Sequence, residues 1–272
     1  MITVGADREE LLVYDFAKAE GDRLRGIGKP DIYDFDWLDD EHLLFPLSSE
    51  KRYREGLYIT EAEDLGSAHF LDLHNVSLVV ARPESERMWP VVWIKHSAYN
   101  NGRDGGVLQI NAKVMPKNPF ATAAYIDPSS LNHGTTASVI RSYPAPEPGI
   151  PIGYSSDPQG NLAYAYASDN GAESIFRLVD DKWVKCPIDL DAIDILGIDT
   201  EGKLVVLGPR QEGKPKALQY MDAATGALGE TIWQDDVYDP SDCRLYRHPV
   251  TKCLLGIRFE RAMRETIWFA QE

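Results

Sequence analysis

At 272 residues the chain is long enough for two average domains or one large all-β domain, and 43% hydrophobic with 26% charged residues is ordinary for a soluble globular protein with a core. Its net charge of −15 repels phosphates, which disfavours general nucleic-acid binding and serves solubility. No apolar run approaches the roughly 20 residues of a membrane helix, and Asp7, Glu9 and Glu10 occupy the place where a signal peptide carries its apolar segment.

In chain order, residues 1–30 hold only part of a unit, mainly the run Glu10-Leu11-Leu12-Val13-Tyr14-Asp15-Phe16. Two readings of it stand: outer strands of a blade finished by the C-terminal segment, or the second half of a blade whose start is cut away. Next, Ile32-Tyr33-Asp34-Phe35-Asp36-Trp37 alternates, with Tyr33, Phe35 and Trp37 pointing one way and Asp34 and Asp36 the other, as a half-buried strand requires. The turn Asp39-Asp40-Glu41 leads to an apolar strand over 42–45 and another over 56–59, while residues 61–68 fit a turn of helix or a loop. Arg82-Pro83-Glu84-Ser85 leads to strands over 89–93 and 107–110. The period is poorest over 112–150, where Pro144-Ala145-Pro146-Glu147-Pro148 marks an irregular blade with long loops rather than a domain boundary.

The two clearest copies follow. Asp157-Pro158-Gln159-Gly160 and Asp199-Thr200-Glu201-Gly202 stand 42 residues apart, each preceding an apolar strand (162–167 and 204–207), a loop and a further strand (174–178 and 217–221). Asp222-Ala223-Ala224-Thr225-Gly226 then reads as a hairpin turn with Gly where positive φ is needed. The last unit runs from the turn at 248–252 through 253–259 to 266–269. Repeats of roughly 40–50 residues with about four strands predict an all-β fold, a β-propeller of about six to seven four-stranded blades. It is expected to form one domain over 1–272, incomplete at its N-terminus on the second reading above.

Candidate chemistry is sparse. Gly153-Tyr154-Ser155-Ser156-Asp157 comes nearest to a Gly-x-Ser-x-Gly nucleophile elbow, but ends in Asp and precedes no helical pattern. His42, His69, His74, His96, His133 and His248 lack metal-ligand spacing, and the His69/His74 pair reads as strand-end or loop histidines. Asp34, Asp36, Asp39 and Asp40 form the densest carboxylate cluster, which a solvated strand and turn explain without glycosidase or calcium chemistry. The glycine-rich run 100–106 lacks the Lys-Ser/Thr and helix of a phosphate loop. Trp37, Trp89, Trp93, Trp183, Trp233 and Trp268 recur at strand positions, as residues packed between blades would. Cys186 is isolated; if Arg247 pairs with Lys252, Cys243 faces Gly256 rather than Cys253, so no cross-strand disulfide is expected. No catalytic, cofactor-binding or metal-binding residue is assigned, and no cofactor is expected.

The order of motifs nevertheless resembles a known family. Trp37-Leu38-Asp39-Asp40 before Leu43-Leu44-Phe45, Asp157-Pro158-Gln159-Gly160-Asn161-Leu162-Ala163-Tyr164 and Lys182-Trp183-Val184-Lys185 look like the propeller of the prolyl oligopeptidase serine peptidases. So do the closing blocks Trp233-Gln234-Asp235-Asp236, Asp239-Pro240-Ser241-Asp242 and Leu255-Gly256-Ile257-Arg258-Phe259-Glu260, over most of residues 10–272. The resemblance implies a non-catalytic propeller that gates peptide access to a Ser-Asp-His site and docks onto the α/β-hydrolase domain of the same parent protein, which would begin where this chain stops. An apolar edge normally covered by that domain would favour self-association. Partners are therefore expected to be that hydrolase domain and the passing peptide, with no nucleic acid and no membrane. A freestanding TolB- or WD40-like interaction propeller and a propeller lactonase or glycosidase are the alternatives.

Overall fold

A computed structural model describes residues 2–4, 9–25, 31–32, 35–48, 56–71, 76–80, 90–94, 107–111, 138–260 and 263–269. Within them every regular element is a strand, and every strand pairing is antiparallel. The chain divides into two compact units, Met1–Pro144 and Ala145–Glu272, and the division falls in the proline-rich stretch.

In the first unit, β1 (Ile2–Val4), β2 (Glu9–Asp15) and β3 (Glu20–Arg25) make a three-stranded sheet in chain order. The second sheet holds β4 (Asp31–Ile32), β5 (Asp36–Trp37), β6 (His42–Ser48), β7 (Gly56–Glu61) and β8 (Asp64–Phe70), with β4 and β5 both pairing β6. The third is β9 (Val76–Val80), β10 (Val91–Ile94), β11 (Val107–Asn111) and β12 (Ser138–Tyr143). Leu11 of the first sheet packs with Ile32, Leu43, Phe45 and Leu65 of the second, so the apolar faces of successive sheets meet.

The second unit is more regular. A four-stranded sheet of β13 (Ile150–Ser156), β14 (Leu162–Asp169), β15 (Ala172–Val179) and β16 (Lys182–Lys185) is followed by another of β17 (Asp194–Ile198), β18 (Leu204–Leu207), β19 (Ala217–Met221) and β20 (Leu228–Gln234). A three-stranded sheet of β21 (Ser241–Arg247), β22 (Leu254–Glu260) and β23 (Arg264–Trp268) closes the chain. The run Leu204-Val205-Val206-Leu207 is buried throughout because its alternate residues serve two cores. Leu204 and Val206 pack with Tyr164 and Ile175 of the preceding sheet and with Cys186 just after it, whereas Val205 and Leu207 pack with Ile257 and Phe259 of the following one. Both units are thus built from consecutive up-and-down sheets of the β-propeller blade type, and the expected all-β class holds. Of the six sheets described, three have the expected four strands.

Turn chemistry explains the repeat. Asp157 and Asp199 begin equivalent hairpin turns: each backbone N–H donates to the carbonyl four residues on, Asn161 at 2.9 Å and Lys203 at 2.8 Å. In each, the Asp carboxylate accepts the amide of that same residue, at 2.8 and 2.7 Å. Gly160 and Gly202 supply φ values of +83° and +81°. Type I′ geometry with positive φ at both central residues joins β14 to β15 at Asn170-Gly171 and β15 to β16 at Asp180-Asp181.

Four expectations are corrected. Residues 61–68 are neither helix nor loop: Ala62-Glu63 is a two-residue turn into β8, whose Leu65 is buried. The single strand expected over 32–37 is two, because the pairing register steps by one residue between Ile32↔Leu47 and Asp36↔Leu44. Such a step reverses the faces, so Trp37 is 38% exposed while Leu38 is buried; Tyr33 and Asp34 lie outside the described residues. The hairpin at 248 is longer than expected: His248 N–H donates to the Cys253 carbonyl and Lys252 N–H to the His248 carbonyl, both at 2.9 Å. Arg247 consequently pairs with Leu254, and Tyr246 rather than Cys243 faces Gly256. Finally, the tryptophans are not uniformly core: Trp268 is 62% exposed, Trp233 packs against Phe259 between sheets with ring centroids 4.9 Å apart and the rings tilted, and Trp89 lies outside the described residues.

Candidate functional site

The residues weighed in the sequence are mostly employed in turns. The Asp39 carboxylate accepts the amides of Glu41 and His42 at 2.8 and 2.7 Å and meets His42 Nδ1 at 2.9 Å. Burial raises its pKa, but those amides and the His42 ring outweigh burial and hold it below the ordinary value. His248 Nδ1 accepts the amides of Val250 and Thr251. Asp235 accepts the amides of Val237 and Tyr238, and Asp239 accepts that of Lys216 and pairs with Arg210 at 2.7 Å, which orders the connection from β20 to β21. His74, His96, His133 and residues 100–106 lie outside the described residues, as does the side chain of His69. Among the described residues no group of three or more His, Cys, Asp or Glu is placed to hold a metal ion. The segment nearest a nucleophile elbow runs along β13, with Ser155 buried against the Tyr166 phenol.

A cavity of about 420 Å³ in the second unit gathers different residues. Its walls are Ser156 and Pro158 at the end of β13, Leu196, Gly197 and Ile198 of β17, and Cys243, Arg244, Leu245 and Arg247 of β21. All three strands are the first, edge strands of their sheets. Each also breaks register at the cavity, between Ser155 and Ser156, Ile195 and Gly197, and Ser241 and Arg244. A bulge re-aims the side chains beside it, and Asp242 takes a left-handed φ of +46° within the third one.

Arg247 and three neighbouring carboxylates set the electrostatics of the cavity. Arg247 is desolvated, which lowers its pKa, while the nearby Asp199 carboxylate favours its charge. Its Nη1 donates to the Lys252 carbonyl at 3.3 Å, and its Nη2 is buried without a hydrogen-bond partner among the described residues. A Cβ on Gly197 would stand 3.3 Å from that nitrogen, so glycine allows the guanidinium to lie on the strand backbone. Burial pushes the Cys243 thiol up to about 11, with the Asp194 and Asp242 carboxylates adding to the shift, and it stays protonated near neutral pH. The cavity therefore combines apolar walls, edge-strand backbone and one half-buried guanidinium, with the Asp194, Asp199 and Asp242 carboxylates nearby, and its cysteine is unsuited to nucleophilic attack.

Sequence reading missed these residues. A signal existed in Cys243, Leu245 and Arg247, three alternate positions that place a cation on an apolar strand face.

The fold and cavity define an all-β protein of blade-type sheets with a half-apolar pocket among edge strands. Similar solved structures include TolB from Acinetobacter baumannii, at 12% identity and a TM-score of 0.45 over 98% of this chain and 61% of that one. A putative 6-phosphogluconolactonase from Bacteroides uniformis is similar at 10% identity and a TM-score of 0.42, over 98% of this chain and 81% of that one. The complex of KlAtg21 with the coiled-coil of AgAtg16 gives 10% identity and a TM-score of 0.48, over 98% and 80%. The chain thus spans 61% of the length of the TolB chain it resembles. No protein-family model matches the sequence, and no curated protein matches it.

Proposed function

We propose that this chain is a peptide-binding module of the propeller type, contributing recognition and docking rather than bond cleavage. The observation that supports it best is the cavity at which three successive edge strands each carry a bulge. Edge strands present backbone N–H and C=O groups that an extended peptide can pair with, and side-chain pockets beside them set specificity. In its finer form this is the role the sequence resemblance implies, a propeller that gates peptide access to a prolyl-oligopeptidase-like hydrolase domain and docks upon it. The Cys243 thiol, held protonated, and Ser155, buried on a strand, fit recognition better than nucleophilic attack.

The test is amide-resolved NMR titration of the chain with short unstructured peptides. Shifts concentrated at Gly197, Ile198, Leu245 and Arg247 are expected. In parallel the chain should release no product from those peptides. Robust hydrolysis, or shifts confined to surfaces remote from β17 and β21, would overturn the reading.

A further inference from the structure

The last sheet of the second unit stops at three strands, and β23 forms its outer edge. β23 pairs β22 in unbroken register from Glu260↔Arg264 to Gly256↔Trp268. The Phe269 N–H donates to the Leu255 carbonyl at 2.8 Å, which marks those two as a hydrogen-bonded pair of the same ladder. Alternation then turns the backbone groups of Glu265 and Ile267 toward β22 and the N–H and C=O groups of Arg264, Thr266 and Trp268 outward. Among the described residues no strand meets that outward row. The other closing strands of the unit are blunted: β16 carries Lys182 and Lys185 at its ends, and β20 breaks register twice against β19. Charge and bulges are the devices that keep an edge from adding a strand. β23 has no bulge, and its second half, Thr266-Ile267-Trp268, is uncharged.

The outward row is complementary to itself. In an antiparallel copy centred on Thr266, Arg264 faces Trp268 of the second copy, Thr266 faces Thr266, and Trp268 faces Arg264. Every outward N–H and C=O of those residues then meets a partner. The side-chain pairs are an arginine beside an indole and a threonine beside a threonine, both favourable across strands. Trp268 rests on Tyr246 with ring centroids 5.3 Å apart yet stays 62% exposed, so ring surface is open to the incoming guanidinium. Centring on Glu265 instead opposes two carboxylates, and centring on Ile267 leaves Arg264 with nothing opposite. The exposed Arg264–Asp242 contact, at 3.9 Å, offers little resistance to the exchange.

We propose that the β23 edge pairs antiparallel with β23 of a second copy of this chain, about a twofold axis at Thr266, and so joins the two last sheets into one. The proposal is independent of the peptide-binding reading above. An edge of 5 residues buries less than the roughly 1,200 Å² of a stable interface. A net charge of −15 on each copy also opposes their approach. The dimer is therefore weak and is strengthened by salt.

Sedimentation equilibrium of the whole chain over a wide range of concentration, at low and high salt, tests this. A monomer–dimer equilibrium that tightens with salt is expected. Thr266→Pro removes an outward N–H and no bond to β22, so the chain should stay folded and associate at least tenfold more weakly. Trp268→Lys, at an exposed position, sets a cation opposite Arg264 of the second copy and should do the same, which keeps the test intact if proline disturbs the strand. The register is read by oxidation in a Cys253→Ser background, which removes the exposed thiol. Opposed Cα atoms of a hydrogen-bonded pair stand about 5.5 Å apart, within disulfide reach. Thr266→Cys should therefore form a linked dimer at least tenfold faster than Glu230→Cys, at an exposed site on β20. A monomer at every concentration, or association that both edge variants leave intact, overturns the proposal. Equal oxidation at 266 and 230 overturns the axis at Thr266. A chain that stays monomeric while an extended peptide protects the amides of Arg264, Thr266 and Trp268 from exchange assigns the edge to a peptide strand and overturns it as well.

Discussion

Single residues in this chain matter most where they set turns. Gly202 and Gly226 both have positive φ, at +81° and +69°, but their surroundings differ. A methyl group at Gly202 meets nothing within 4 Å, whereas one at Gly226 runs into the Pro187 carbonyl oxygen. Gly202→Ala should therefore show only the left-handed backbone cost, about 1–2 kcal/mol. Gly226→Ala should add roughly 1–3 kcal/mol of overpacking, and urea midpoints of the two variants separate these terms. If they prove equal, the Pro187 contact relaxes freely. Asp222, in the same turn as Gly226, accepts the amides of Thr225 and Ala224 at 2.9 and 2.8 Å, and these hold its carboxyl below the ordinary value of 3.8. A depressed folded pKa means the stabilisation is present above the unfolded value and lost as pH falls through the folded one. Asp222→Asn should flatten that part of the acid limb of stability, and a carboxyl NMR titration of Asp222 should give a midpoint under 3.8.

Among elements, β18 and its neighbours carry the packing of the second unit. Phe259 is buried from β22 against Val205, Leu207 and Leu218 and meets the Trp233 ring at a tilt across the two sheets. Phe259→Ala should cost about 3–5 kcal/mol, the usual range for a buried aromatic. A double-mutant cycle with Trp233→Ala should return a coupling of about 0.5–1.5 kcal/mol, and a coupling near zero would place the two rings in separate cores. Strands of this kind were legible in the sequence because β-rich apolar runs end at Asp or Gly turns. The limits of β18 and β19 fall where the residues predict them, at Leu204–Leu207 and Ala217–Met221. Over residues 32–37 a one-residue step in register separates the expected single strand from the two observed. Period 2 converts such a step into a change of face, and the step before Asp36 leaves no mark in local alternation; the long turn at His248 likewise shows only in the pairing of its strands.

For the molecule as a whole, charge is the property that sequence discloses and local packing does not cancel. The cavity was hidden for the converse reason, since it assembles from β13, β17 and β21, which are separated in sequence and meet only after the sheets form. Exposed ion pairs such as Lys203–Glu201 at 2.7 Å contribute little individually, so a net charge of −15 leaves a self-repulsion that opposes compaction. Raising salt from about 10 to 150 mM shortens the screening length from about 30 to 8 Å and weakens that repulsion. Stability should therefore rise over this range, read as an increase in the urea midpoint at constant m-value. A midpoint that falls with salt would mean that the ion pairs, not the excess carboxylates, dominate the electrostatic free energy of the fold.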